Sequence, residues 1–356
     1  MNSTFHQNEV PFSLSIIIPN FNDAKFLKEC IDSIVTQSVT PDELIILDDA
    51  STDNSIEVIS KAISSYPFAR IEHNPVNLGF GGVPNANRGL QLAKSKYVYF
   101  LGANDFILPG LIEAIKNGLE AYPQAGVFSA MVWLVNEQSD FLQIHRSPVL
   151  SLQQKFFPAK QCQEMMIKSG SWLTGQTLVY RREALLEAGG FRVSLKGLCD
   201  LLAAQVVVSR YGAVFSPSPL GVMRIHAGAL LVDTLVDTKL LEEILNEVAL
   251  AGFAIEPKLF TPAMLKRTRL RLYFASLRLS KGKTLNHVVS KVGFIRKFAL
   301  SLTTLLPIKL YTPAFFVIMR PFDVIASIWY RAIGSSYVIL REQMLRQYPP
   351  YLQMTK

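Results

Sequence analysis

The sequence predicts an α/β fold: a mostly parallel sheet flanked by helices, followed by a basic, apolar helical region. Two observations carry this. Short β-branched apolar runs alternate with stretches of helical period from Leu14 to Leu101, the pattern of repeated βα units. The charge is also split. Residues 258–356 hold 17 Lys and Arg against two acids, Asp323 and Glu342, so that segment carries +15 and the rest of the 356-residue chain −7. Such a division points to two jobs, with the rear facing an anionic surface.

The elements follow in order. LSIII (14–18) is a strand closed by Pro19, and Phe26, Leu27, Cys30, Ile31, Ile34 and Val35 recur at helical spacing after it. ELIIL (43–47) is the second strand. It leads through a polar loop, DDASTDN (48–54), into a helix with Val58, Ile59, Ala62 and Ile63 on one face. ARIEH (69–73) is the third, followed by a Gly- and Asn-rich loop (74–85), a short helix to Lys94, and the strand YVYFL (97–101).

In sheets of this kind ligands gather beyond the carboxyl ends of the strands. Those loops hold Asp23, the pair Asp48 and Asp49, and Asn104 with Asp105. Their convergence from separate strand ends is the main functional signal. Asn22 or Asp23 and Ser51 or Asp53 also suit helix N-caps, the structural alternative for each taken singly.

Other chemistries find no support. The 49% apolar and 18% charged composition excludes a disordered chain. Cys30, Cys162 and Cys199 are odd in number with no CxxC spacing, against a disulfide framework or cysteine zinc site. Gly79-Phe80-Gly81-Gly82 lacks the GxGxxG order, and Gly282-Lys283-Thr284 has Leu277 where a P-loop needs glycine. The five histidines form no HExxH, and no GxSxG elbow occurs.

The stretch SIIIPNFNDAKFLKECIDSIVTQSVTPDELIILDDASTDNS resembles the N-terminal half of a family-2 glycosyltransferase of GT-A fold. That pattern is a strand, P-x-[YF]-N, a helix ending S-I-x-x-Q, and a strand closing on D-D-x-S-x-D. NLGFGGVPNANRGLQLAKSKYVYFL and TLVYRREALLEAGGFRVSLKGLCDLLAAQVVVSRYG continue the resemblance, which covers residues 13–226. It implies a Rossmann-like GT-A domain over 13–226, a helical connector over 227–260, and leaves 261–356 as a basic amphipathic region. It implies an inverting transfer of sugar from a nucleotide-diphosphate donor, UDP- rather than GDP-linked, to a glycan or polyprenyl-linked acceptor in cell-surface polysaccharide synthesis.

By the same resemblance Pro19, Asn20, Asp23, Asp48, Asp49, Asn87, Asn104, Asp105, Arg224 and His226 would bind the nucleotide sugar. Asp200, at the [ED]-D position, would be the general base. Its alternative role is the N-cap of a helix over 201–210. Arg224 and His226 match an R-x-H that approaches the diphosphate. The chain departs from the pattern where D-x-D-D becomes Gly102-Ala103-Asn104-Asp105, and where Ala86 replaces an arginine before Asn87. Hard cations favour carboxylate oxygens. Mg²⁺ or Mn²⁺ held by Asn104, Asp105 and His226 is therefore expected to be weak or dispensable. A non-catalytic glycosyltransferase-like scaffold with a degenerate site is the alternative.

The rear third is read from composition. MLKRTRLRLYFASLRLSKGK (264–283) mixes leucines with seven arginines and lysines. FALSLTTLLPI (298–308), LYTPAFFVIM (310–319) and FDVIASIWY (322–330) are apolar runs too short to span a bilayer. They suit helices in the membrane interface, with Trp329, Tyr311 and Tyr330 at headgroup depth. The expectation is peripheral or monotopic attachment to an anionic membrane surface on its cytoplasmic side. A buried subdomain or a homodimer interface is the competing use, and no nucleic-acid partner is expected. MNSTFHQNEVPF has no basic and then apolar segment, so no secretory signal is expected.

Overall fold

The structure, a computed structural model, describes residues 11–145, 147, 149–169, 171–226 and 229–280. The alternation expected at the front is present as β1 (Leu14–Asn20), α1 (Ala24–Val35), β2 (Glu43–Asp48), α2 (Ser55–Ile63), β3 (Ala69–His73), α3 (Val83–Leu92) and β4 (Tyr97–Phe100). After it come β5 (Phe106–Ile107), α4 (Leu111–Ala121), β6 (Val127–Val135), β7 (Phe141–Ile144), β8 (Lys155–Phe157), α5 (Ala159–Ser169), β9 (Val179–Arg181), α6 (Arg182–Glu187), α7 (Cys199–Tyr211) and β10 (Ala213–Arg224). Three helices follow: α8 (Leu230–Val236), α9 (Thr238–Ile255) and α10 (Pro262–Leu279).

Among the described residues all ten strands join one sheet in the order β3-β2-β1-β4-β9-β6-β10-β5, with β7 beside β6 and β8 beside β10. The parallel ladders, β3-β2-β1-β4 and β6-β10, run four to nine paired residues. The antiparallel ones run two or three. The mostly parallel α/β architecture is thus as expected. The insertion of β9 antiparallel between β4 and β6 is the addition that periodicity did not show.

β1 occupies the centre of the parallel half. Ile16, Ile17 and Ile18 are fully buried, so both faces of the strand lie against apolar neighbours. On α1, Phe26, Leu27, Cys30, Ile31 and Ile34 form the buried stripe that the sequence spacing predicts. α3 begins at Val83, inside the stretch expected as loop, with Pro84 in its first turn where no amide partner is needed. Its Gly89 is essential to that packing. A Cβ there would come within 2.5 Å of Ile17 and 3.0 Å of Leu47, so the helix backbone rests directly on the sheet.

The chain divides into compact units at 1–272 and 273–356. This division falls within α10, not at the 260/261 boundary expected from composition. Within the first unit, Arg267 of α10 donates to the carbonyl of Ile167, and Arg269 pairs with Glu242 and Asn246. These two cations counted toward an anionic surface are therefore engaged by the α/β unit. The apolar runs over 298–330 lie outside the described residues. Among the described residues no helix is long and apolar enough to cross a membrane.

Gly89→Ala is expected to lower unfolding stability by about 2 kcal/mol, the usual scale of overpacking a filled core. Urea denaturation with an unchanged slope would register it as a shifted midpoint. An unshifted midpoint would mean that α3 lifts from the sheet at no cost.

Candidate active site

The loops after β1 and β2 are laced into one body. Asn20, buried at the end of β1, donates through Nδ2 to Asp48 Oδ1 at 2.8 Å and Ser51 Oγ at 3.1 Å. Asp48 Oδ2 accepts the Ser51 amide, and Asn22 Oδ1 accepts the amides of Thr52 and Asp53. These bonds hold Asn22 and Ala50 in left-handed backbone, φ 56° and 59°, unusual for a residue with a Cβ. Both Asp48 oxygens have partners in this lacing and the residue is 1% exposed. Asp48 therefore ties the loops after β1 and β2 together through both of its oxygens. Pro19, half-buried, faces Gly82 at the start of α3, where an added Cβ would lie 3.6 Å away.

Asp49 organises the third loop. Its Oδ1 accepts Asn74 Nδ2 at 2.7 Å and the Leu78 amide at 3.0 Å, while its carbonyl accepts Asn77 Nδ2. Asn85 completes the set by bridging Asn74 and the Leu47 carbonyl. Asn87 does not join it. Its amide donates to the Phe191 carbonyl at 2.7 Å and accepts the Phe191 amide at 2.9 Å, pinning α3 to the Gly189-Gly190-Phe191 turn.

Asn104, Asp105, Arg224, His226 and Asp23 meet at a second corner. Asp105 Oδ1 accepts the backbone N–H of Arg224 at 2.8 Å, and Asn104 Nδ2 lies 2.7 Å from His226 Nε2. Burial pushes the Asp105 carboxyl up to about 7, opposed by the Arg224 amide and charge. Burial also raises Asp23, and the His226 charge opposes it. The Arg224 guanidinium is buried and donates to the carbonyls of Asn104, Asn136 and Glu137, to Ser139 Oγ and to Glu29. With those bonds it braces the corner.

The same corner bears on metal binding. A Cβ built on Gly102 would lie 3.1 Å from Asn104 Oδ1 and 3.4 Å from Asp105 Oδ2, so these two hard oxygens flank the position where a family carboxylate is missing. They fit a divalent cation as a partial donor set, to be completed by other oxygens. Nε2 of His226 is already occupied by the Asn104 amide. Among the described residues no group of three His, Cys, Asp or Glu side chains could hold a metal.

Asp200 stands apart from both groups. α7 begins at Cys199, so Asp200 lies in its first turn and is not the N-cap expected; Leu198 holds that place. Its carboxylate accepts its own N–H and that of Leu201, yet burial dominates and pushes it up to about 6. Burial likewise raises the neighbouring Cys199 thiol. The carboxylate rests on Gly175, where a Cβ would fall 2.0 Å from Oδ2. Gln176, next in the 3-10 turn Gly175–Thr177, donates through Nε2 to the carbonyls of Phe106 and Val222. That turn thus links Asp200 to the strands carrying Asp105 and Arg224. Sequence reasoning missed Gly175, Gln176 and Glu29. None of the three stands in a motif or at a helical or strand spacing that would have marked it.

Residues 15–188 match the sequence profile of Glycosyl transferase family 2. A hyaluronan synthase of Pasteurella multocida is 38% identical over 126 residues, 35% of this chain and 12% of that protein. The chain's matches take in 12 to 29% of the length of the first curated relatives. Among solved structures, S. aureus TarS 1–349 in complex with UDP-GlcNAc aligns with TM-score 0.56 at 14% identity, covering 88% of this chain and 92% of that one. Mannosyltransferase PcManGT from Pyrobaculum calidifontis, in complex with GDP-Man and Mn²⁺, aligns at 0.55 and 17% identity, covering 87% and 86%. The structural likenesses establish the shared fold, and the profile match makes residues 15–188 a glycosyl transferase family 2 domain.

Proposed function

We propose that this protein transfers a sugar from a nucleotide-diphosphate donor to a hydroxyl of a glycan or polyprenyl-linked acceptor, with inversion, in the synthesis of a cell-surface polysaccharide. The observation that carries the reading is Asp200. A carboxylate raised to about 6 by burial is half-protonated near its working range and still largely ionised at neutral pH, as a general base requires. Among the described residues no Lys or Arg forms an ion pair with it. Such a group costs stability, and a chemical use accounts for its retention.

In this proposal the labour is divided among the residues described above. Asp49 and the loops it holds take the nucleoside, because a carboxylate accepts the N–H edge of a uracil or guanine base. Asp200 takes the proton of the acceptor hydroxyl. Asn104 and Asp105 face the leaving diphosphate with His226. A divalent cation, when bound, would be held by Asn104 and Asp105 and would offset the charge of the departing diphosphate. UDP is the favoured nucleotide, supported by the complex that TarS forms. The scaffold alternative draws on Gly102, which lacks the family's carboxylate. It predicts nucleotide binding without turnover of any sugar donor.

The basic, apolar rear of the chain supports attachment to an anionic membrane surface, peripheral or monotopic and on the cytoplasmic side, where a lipid-linked acceptor is presented. Each Lys or Arg near such a surface contributes about 1 kcal/mol, and burial of apolar faces adds roughly 25 cal/mol per Å².

Asp200→Asn is expected to lower kcat by about a hundredfold or more while UDP affinity, read by calorimetry, stays the same. For the wild type, kcat/KM should fall about tenfold per pH unit below 6 and level off above it, because only the ionised carboxylate accepts the proton. A flat profile from pH 5 to pH 8 would remove Asp200 from the reaction. Gly175→Ala, which drives a methyl into the carboxylate, should reproduce the loss of kcat with UDP affinity retained. Asp49→Ala should do the reverse and weaken UDP binding.

Flotation with anionic liposomes tests the attachment. The full chain should float with them and resist release by high salt, since screening weakens only the electrostatic part. A chain that stays at the bottom of the gradient would assign the rear third to a core or a homodimer interface.

A further inference from the structure

One network, buried at Arg224 and open to solvent at Glu29, has no place in the division of labour above, although it touches the Asn104–Asp105 corner. Arg224 ends β10 with its side chain 1% exposed. Its backbone N–H holds Asp105 Oδ1 at 2.8 Å, and its Nε holds the Asn104 carbonyl at 2.9 Å. The guanidinium lies over the Phe26 ring, 4.6 Å from its centroid, and Nη1 donates to the carbonyl of Glu137 and to Ser139 Oγ, each at 2.9 Å. Nη2 donates to Glu29 Oε2, and Ser139 Oγ donates to the same carboxylate at 3.1 Å. Ser139 belongs to the β6–β7 turn and is held at φ 66°, a conformation a residue with a Cβ keeps only when its surroundings fix it. One carboxylate on α1 therefore seats both the guanidinium and the strained turn.

We propose that Glu29 is a positioning residue: with Ser139 it clamps Arg224, and Arg224 in turn fixes the Asn104–Asp105 pair that faces the diphosphate. A guanidinium has five N–H groups in one plane, so satisfying its outer edge with Glu29 and Ser139 dictates where its inner edge and backbone lie. Without Glu29 the buried guanidinium loses the carboxylate bonded to its outer edge and turns toward water, carrying β10 and the 102–105 loop with it. The consequence for nucleotide binding rests on the function proposed above. The mechanical part does not.

Two measurements separate these parts. Hydrogen exchange reads the clamp directly: in Glu29→Ala, amides across 102–107 should exchange at least about tenfold faster, while those of Leu14–Ile18 keep their wild-type rate. Calorimetry with UDP in the presence of Mn²⁺ reads the consequence, a dissociation constant raised about tenfold, as expected for losing a charge-assisted bond. Glu29→Gln keeps an acceptor oxygen for Nη2 and should restore both to within about threefold. Ser139→Ala, a milder change, should move both in the direction of Glu29→Ala should that variant fail to fold. Unchanged exchange across 102–107 overturns the proposal, and so does faster exchange with unaltered UDP affinity. A wild type that binds neither UDP nor GDP sinks the functional reading instead, and the exchange rates still decide the clamp.

Discussion

The constraint on which the site depends is the burial of β1 between two parallel partners. Parallel strands share a direction, so β1, β2 and β4 all deliver their carboxyl ends to one edge of the sheet. A strand apolar on both faces leaves its polar functions to the loop that follows. Asn20 is the first residue at which that is possible, and it is already bonded to Asp48 and Ser51. The left-handed Asn22 and Ala50 follow from the same lacing, because tying two short loops together at several points leaves the backbone little freedom.

The second half of the sheet solves a different problem. Arg224 carries a charge into the interior, and an uncompensated buried charge costs several kcal/mol. Three carbonyls, a hydroxyl and a carboxylate answer it, drawn from the 102–105 loop, the β6–β7 turn and α1. These elements are far apart in sequence. Their meeting at one guanidinium explains how a two-residue strand such as β5, paired with β10 only through Phe106 and Ile107, keeps a defined register.

What the sequence disclosed and what it withheld divide along these lines. The βα alternation, the α1 stripe and the strand-end position of the acids were legible because period and loop chemistry are local properties. The bonds that Asp48, Asn87 and Arg224 make within the fold were not legible. Residue type shows that a group is polar, and only the fold shows which of its bonds are already made. Asp200 was legible as a carboxylate in apolar company, but its helix starts a residue before it. Gly175 and Gln176 left no usable signal, since a close approach between a turn and a helix end is a property of packing. The segment 281–356 remains a reading of composition.

Gln176 shows why the two halves act as one site. Its Nε2 reaches carbonyls on both β5 and β10, and the Gln176 carbonyl accepts the Tyr99 hydroxyl at 2.9 Å. β4, β5 and β10 are thus fastened to the turn that carries Gly175, and Gly175 touches Asp200. On the other side Gly221 lets the Gln176 amide lie against β10, where a Cβ would fall 1.9 Å from Oε1. In the proposed reaction Asp200 and the Asn104–Asp105 corner have to keep a fixed separation across the reacting carbon, since small misplacements forfeit much of the rate. A glycine at each contact, Gly175 under the Asp200 carboxylate and Gly221 under the Gln176 amide, lets these side chains seat directly on backbone and supplies that rigidity. Asp200 and the Asn104–Asp105 pair are consequently tied to the same turn, even though they lie about a hundred residues apart in sequence.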